Sequence, residues 1–229
     1  MRNVVPEHSS DMAANLCTDH RRRIKHSLGA AESYAHRKPR KHDAEMALIR
    51  RGMALAAGVR TVLDAPCGVG RATILLARMG YIVTGIDLGK GAIEVARRLV
   101  TEAAVAVRIE QEDMVALTFA GGAFDAVLCF RLIHHLPTAA HREEIIRELC
   151  RVARRHVLIS YLSPWSFTSV RRLLWRKLGL KGGRTVQYVT SRADIARHFR
   201  QHGFSLVRDL AQAPLLHSLH LAVFGRDLV

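Results

Sequence analysis

Apolar positions along the chain fall into two alternating periods, and polar or glycine-rich breaks separate them. From Asp43 to Ala57 the apolar residues Met46, Ile49, Met53 and Ala57 recur at helical spacing, and Gly58 stops the run. An apolar strand follows at Val59–Ala65, then a helix at Arg71–Met79 closed by Gly80. The same alternation continues with a strand at Tyr81–Asp87, a helix at Gly91–Ala104 and a strand rich in β-branched residues at Val105–Glu110. The most continuously apolar strand is Phe124–Phe130. A helix at Thr138–Ala153, with Pro137 near its start, leads to a fifth strand at His156–Tyr161. Strands apolar on both faces and separated by helices predict a parallel sheet covered on both sides. After residues 162–190, which interrupt the pattern, Ser191 and Asp194 form a variant capping box for a helix that Gly203 ends. Phe204–Leu210 and His217–Gly225 then predict a closing antiparallel hairpin at the sheet edge, turned around Pro214.

Composition adds bounds. The 229 residues are 49% hydrophobic and 24% charged, which suits one globular domain of ordinary to large size. The formal charge of +15 leaves two readings open: anionic partners such as nucleic acid, a membrane surface or an acidic substrate, or merely solvated arginine-rich faces. Residues 1–42, with the basic clusters HRRRIK and HRKPRKH, read as a separate N-terminal segment and possible cofactor lid; residues 43–229 read as the domain proper. The four cysteines show no metal-ligand spacing, so no metal is expected, and Cys67 and Cys129 read as small hydrophobes. The N-terminal stretch lacks a secretion-signal core, and no run of 18 apolar residues exists. A cytoplasmic protein is expected, with contact at the inner face of a membrane as the alternative.

The chemistry concentrates after the first strand, in DAPCGVG. Asp64 ends the strand, and Gly68 and Gly70 form a turn that opens a helix. Glycines stand where backbone must turn sharply or a ligand must come close. A dinucleotide loop wants a third small residue, but Thr73 stands there, and no P-loop lysine follows. A carboxylate at the strand end repels a pyrophosphate and suits an ammonium or a sulfonium. Pro66, at the first turn position, removes one N–H donor and holds φ near −65°.

These residues resemble motif I of the class I S-adenosylmethionine (SAM)-dependent methyltransferases, usually D/E-x-G-x-G-x-G. Further motifs follow in the family's order: Asp87 ends the second strand, Asp113 lies in EQEDMVAL, and FDAVLCFRLIHHLP is similar to the fourth strand and loop of the UbiE-like branch (Methyltransf_11). The resemblance covers roughly residues 43–161. It implies a Rossmann-like fold: a seven-stranded, mostly parallel sheet with a terminal antiparallel strand and helices on both faces. It implies SAM as cofactor, S-adenosylhomocysteine (SAH) as product, and methyl transfer to a small-molecule or lipid-like acceptor. Asp64, Ala65, Pro66, Cys67, Gly68 and Gly70 would hold the amino-acid end of SAM. Asp87 with Leu88 would take the ribose, and Asp113 with Met114 the adenine, with Phe130 beside them. His134 is the candidate base, with a structural role as its alternative. Arg131, His135, Tyr161, Trp165 and Tyr34 are the candidate acceptor contacts.

Within 162–190, Ser166–Leu178 reads as an amphipathic helix with Phe167, Val170, Leu174 and Leu178 on one face, flanked by arginines. It suits either an anionic membrane surface or the protein's own core. The loop after Phe130 lacks an N/D-P-P-Y-like motif, which argues against methylation of nucleic-acid bases. Two other functions stay open: methylation of RNA or another macromolecule, and a non-catalytic SAM-binding partner subunit.

Overall fold

The structure is a computed structural model that describes residues 29, 39–164, 166, 187–213 and 217–227. The expected contacts Tyr34 and Trp165, the basic segment before residue 39 and the amphipathic stretch 167–178 lie outside these residues. No helix among the described residues is long and apolar enough to cross a membrane.

Helix α1 (Pro39–Met53) leads into β1 (Thr61–Asp64), α2 (Arg71–Arg78), β2 (Ile82–Asp87), α3 (Lys90–Glu102) and β3 (Arg108–Gln111). Then come β4 (Phe124–Cys129), a 3-10 turn at Ile133–His135, α4 (Ala139–Val152) and β5 (Ala153–Leu162). Helix α5 (Arg192–Gln201) and strands β6 (Phe204–Ala211) and β7 (Leu219–Arg226) close the chain. The seven strands form one sheet in the order β3-β2-β1-β4-β5-β7-β6. The first five are parallel, and β7 runs antiparallel to both of its neighbours. The closing hairpin is present as the sequence pattern predicts, and its last strand is the inner one, leaving β6 at the edge.

Strand alternation explains the two layers of core. Val62, Ala126, Leu128 and Leu158 face one side, where Leu48, Ile49 and Met53 of α1 and Leu75 and Leu76 of α2 cover them. Leu63, Val127, Cys129 and Ile159 face the other, against Ile145, Ile146 and Leu149 of α4 and Phe199 of α5. All six β4 residues are buried, as befits the central strand. Ala57, expected on the inner face of α1, is exposed because the helix has already ended at Met53; Ala56 is buried instead. Strand β1 starts two residues later than the pattern predicts, and Asp125 supplies a reason. Its Oδ2 accepts hydrogen bonds from the backbone N–H of Arg60 and Thr61 and from Thr61 Oγ1, taking donors that a longer ladder would use. Thr61 N–H chief among them, these bonds hold the Asp125 carboxyl below the usual carboxylate range.

Helix ends follow local chemistry. Thr138 Oγ1 accepts from His141 N–H at 3.2 Å, and Ser191 Oγ accepts from Asp194 N–H at 3.1 Å. Helix α2 has no side-chain cap; Gly70, at φ +80°, stands at its start. The α2 N-terminus therefore opens toward whatever the loop holds. Cys67, Cys129 and Cys150 are buried, and burial pushes the Cys150 thiol up to about 12.

Candidate active site

In an open parallel sheet, ligands bind at the carboxyl ends of the strands where the strand order reverses. Here that point lies between β1 and β4, and a cavity of about 610 Å³ opens there. Asp64 ends β1, Asp87 ends β2, Asp113 follows β3, and Phe130 and Arg131 follow β4; all five line the cavity.

The loop from Ala65 to Gly70 is pinned by backbone. Ala65 N–H donates to Leu128 O at 2.9 Å, and Cys67 N–H to Ile86 O at 2.7 Å. The Ala65–Pro66 bond is cis, and Gly68 and Gly70 have φ of +57° and +80°. Only glycine adopts this left-handed backbone without strain. A Cβ on Gly70 would stand 3.3 Å from the Ala96 Cβ, so the loop also packs against α3. Gly85 lies beneath it. A Cβ there would stand 2.9 Å from Ile109 Cδ1 and 3.1 Å from both Cys67 Cβ and Thr73 Oγ1.

Asp64 is fully buried. Thr73 Oγ1 donates to its Oδ2 at 2.6 Å, while among the described residues Oδ1 has no hydrogen-bond partner. Burial is the main force on this carboxyl and pushes its pKa up to about 7; the Thr73 hydroxyl works against it and the Asp87 charge with it. A buried carboxylate oxygen without a donor is costly, and a ligand ammonium would relieve it. Thr73 therefore has a function that the sequence pattern obscured: where a dinucleotide loop has a small residue, this chain has a hydroxyl that orients Asp64.

Asp87 binds the loop from the other side. Gly68 N–H donates to Oδ2 at 3.0 Å and Gly89 N–H to Oδ1 at 2.8 Å. Asp113 Oδ1 accepts from Val115 N–H at 3.2 Å, and Met114 is buried beside it. The far wall is apolar, built from Leu132, Leu136 and Ile145, with His135 among them.

Four expected site residues do not line the cavity: Ala65, Gly70, His134 and Tyr161. Ala65 and Gly70 shape the loop through backbone only. His134 is 1% exposed, and its carbonyl accepts from Tyr188 N–H. Consecutive residues of a 3-10 turn point about 120° apart, since three make one turn. His134 therefore enters the core while His135, 4.3 Å away between ring centroids, meets the cavity. Tyr161 is buried on the α5 face of the sheet, where its hydroxyl donates to Asp209 Oδ2 at 2.9 Å. Burial first, then the Asp209 charge, raises its pKa.

Among the lining residues that escaped the sequence reading are Glu45, Arg71 and Thr73's neighbour Ala72. Glu45 is fully buried on α1. Arg131 Nη1 donates to its Oε1 at 2.7 Å, and Arg71 Nη2 lies 3.8 Å from its Oε2. An acid on the inner side of a helix among basic residues was the available signal. Among the described residues no group of His, Cys, Asp and Glu could hold a metal ion.

Residues 62–156 match the family model described as a methyltransferase domain (Methyltransf_25). That stretch of the chain, from β1 into β5, is similar to a methyltransferase domain. The branch expected from the loop after β4, Methyltransf_11, is not the model matched here. Among curated relatives, the ubiquinone biosynthesis O-methyltransferase of Coxiella burnetii is 34% identical over 76 residues, 33% of this chain and 32% of that protein. The protein of the same name from Alkalilimnicola ehrlichii is 35% identical over 105 residues, 45% of this chain and 42% of that protein. The matched stretch thus spans less than half of either relative. Among solved structures, the magnesium protoporphyrin IX methyltransferase of Synechocystis with bound SAH superposes with a TM-score of 0.65 at 24% identity, covering 82% of this chain and 83% of that one. A Pyrococcus horikoshii protein gives 0.67 at 19% identity, covering 81% and 91%. At these identities the likeness is one of fold.

Proposed function

We propose that this protein is a SAM-dependent methyltransferase acting on a small-molecule acceptor. One observation carries the reading: the buried Oδ1 of Asp64, without a donor among the described residues, beneath a glycine loop at the switch point of the sheet. It fits the ammonium of an amino acid, and Asp87 and Asp113 stand along the same cavity for a ribose and an adenine. When bound, SAM supplies an activated methyl group on its sulfonium. The protein's share is to hold two reactants in line, which can supply ~7–11 kcal/mol of the barrier, and to keep water out with Leu132, Leu136 and Ile145. The curated relatives are named as O-methyltransferases, which supports oxygen as the accepting atom.

SAH titrated calorimetrically into the wild type and Asp87→Ala tests the cofactor assignment. We expect Asp87→Ala to bind about 10- to 100-fold more weakly, the scale of lost hydrogen bonds to a charged group. Equal affinity in the two proteins would remove Asp87 from the site.

His135 lines the cavity while His134 is buried away from it, which supports His135 as the residue that accepts an acceptor's proton. A general base there contributes about 10²–10⁴-fold. In radiolabel transfer assays over a panel of hydroxylated aromatic acceptors, His135→Ala is expected to lose turnover by that factor while keeping its SAH affinity. His134→Ala is expected to lower the melting temperature instead. Unchanged turnover in His135→Ala would leave alignment as the whole of the catalysis.

A further inference from the structure

Arg131 leaves β4 with a backbone that few side chains adopt, at φ +65°. Two groups hold it there. Its N–H donates to Ser160 Oγ at 2.6 Å, and its Nη1 donates to Glu45 Oε1 at 2.7 Å. Glu45 is fully buried and stands 86 residues away in the chain, on α1. Backbone strain of this kind persists where surrounding contacts over-determine it, and it clusters at ligand clamps. Among the described residues the guanidinium has no hydrogen bond or ion pair beyond the one with Glu45. A guanidinium carries five N–H donors in a planar fork, so most of this one's donors are uncommitted while it lines the cavity. The single carboxylate of Glu45 also faces Arg71, 3.8 Å away, so one anion meets two lining cations. The other cavity acids, Asp64, Asp87 and Asp113, belong to the β1–β3 side. The β4 side is an arginine set beside the apolar wall of Leu132, Leu136 and Ile145.

We propose that Arg131 is the carboxylate-binding residue for the methyl acceptor, which is an amphipathic carboxylic acid with its apolar body on that wall. The inference rests on the proposed methyltransferase reading. Glu45 is the positioning residue: it fixes one edge of the fork and leaves the rest for a bidentate carboxylate. The cofactor's own α-carboxylate shares this chemistry. It sits on the same carbon as the ammonium that Asp64 fits, and Arg71, directly after the glycine loop, is the guanidinium next to that end in the chain.

The test titrates SAH-loaded protein with benzoate, phenylacetate and octanoate, each against its uncharged primary amide, and follows binding by NMR. Wild type, Arg131→Lys and Arg131→Gln are compared, with SAH affinity and melting temperature measured for each. We expect at least one carboxylate to bind about tenfold tighter than its amide in the wild type, and that preference to vanish in Arg131→Gln. Arg131→Lys should lose most of it, because an ammonium cannot make the paired bonds of the fork. SAH affinity should change by less than about threefold in both variants. Arg131→Lys keeps a cation against Glu45 and carries the comparison if Arg131→Gln does not fold. No preference for any of the three carboxylates would overturn the proposal, as would a preference that survives in Arg131→Gln. A tenfold loss of SAH affinity with the preference intact would assign the guanidinium to the cofactor's carboxylate. Failure of the wild type to bind SAH would overturn the methyltransferase reading itself.

Discussion

SAH binding is expected to tighten about 100-fold between pH 5 and pH 8, and Asp64→Asn is expected to remove that dependence. The cause is the carboxyl of Asp64, which burial raises to about 7. An ammonium pairs with the ionised form, so below pH 7 binding must first expel a proton, and each unit lower weakens it about tenfold. Stability of the ligand-free protein runs the other way. The folded-state pKa lies above the unfolded value of 3.8, so the folded state holds more protons between the two. The stabilisation is fully present below about pH 4 and is lost as pH rises through 7, a loss on the order of 4 kcal/mol. Melting temperatures without ligand should therefore fall from pH 5 to pH 8, and SAH should restore most at the alkaline end. The Asp64→Asn protein keeps every other group of the cavity, His135 included, so it isolates the contribution of Asp64. A wild-type affinity that is flat with pH, or a slope that persists in Asp64→Asn, would show that Asp64 does not meet the ligand's ammonium.

Gly68→Val is expected to abolish SAH binding at any practical concentration. Gly68 has φ +57°, and its N–H donates to Asp87 Oδ2 at 3.0 Å while it lines the cavity. A β-branched residue is a poor fit to that backbone, and strain of ~1–3 kcal/mol follows. Relief requires the loop to move, which breaks the bond to Asp87 and brings a side chain into the space of the cofactor. Gly122→Val is the control. Gly122 has a similar φ of +66°, a Cβ there meets nothing within 4 Å, and the residue does not line the cavity. Both variants should melt at a lower temperature, whereas only Gly68→Val should lose SAH. If Gly68→Val binds SAH as Gly122→Val does, the loop is not the cradle of the cofactor.

Much of the fold was legible because its elements are local. The helix at Arg71, the strand at Phe124–Cys129 and the Ser191 cap each depend on residues within a few positions, and each lies where the pattern predicts. Element ends were less legible. The start of β1 depends on the Asp125 side chain, 64 and 65 residues away, taking the Thr61 and Arg60 N–H groups. The acid-lined side of the cavity was readable from the motif resemblance, and the sheet explains why the motifs meet: Asp64, Asp87 and Asp113 are each the acid at or just after a strand end, and parallel strands bring those ends together. The acceptor side was not. Nothing in HH says which ring turns inward, and Tyr161 is committed to an aspartate 48 residues on.

By itself the sequence determined the alternation of strands and helices, the parallel core of the sheet, the glycine turn and the acids that mark the cavity. The alternation, the sheet and the glycine turn follow from period and spacing along the chain, and Asp87 and Asp113 were marked by the resemblance to the methyltransferase motifs. Only the tertiary structure decided that β7 lies between β5 and β6, that His135 rather than His134 meets the cavity, that Thr73 orients Asp64, and that Glu45 holds Arg131. The physical reason is common to all four. A hairpin docks equally well by pattern from either strand, and a side chain's partner is chosen by packing across the sheet, where residues far apart in sequence compete for the same buried volume and the same hydrogen bonds.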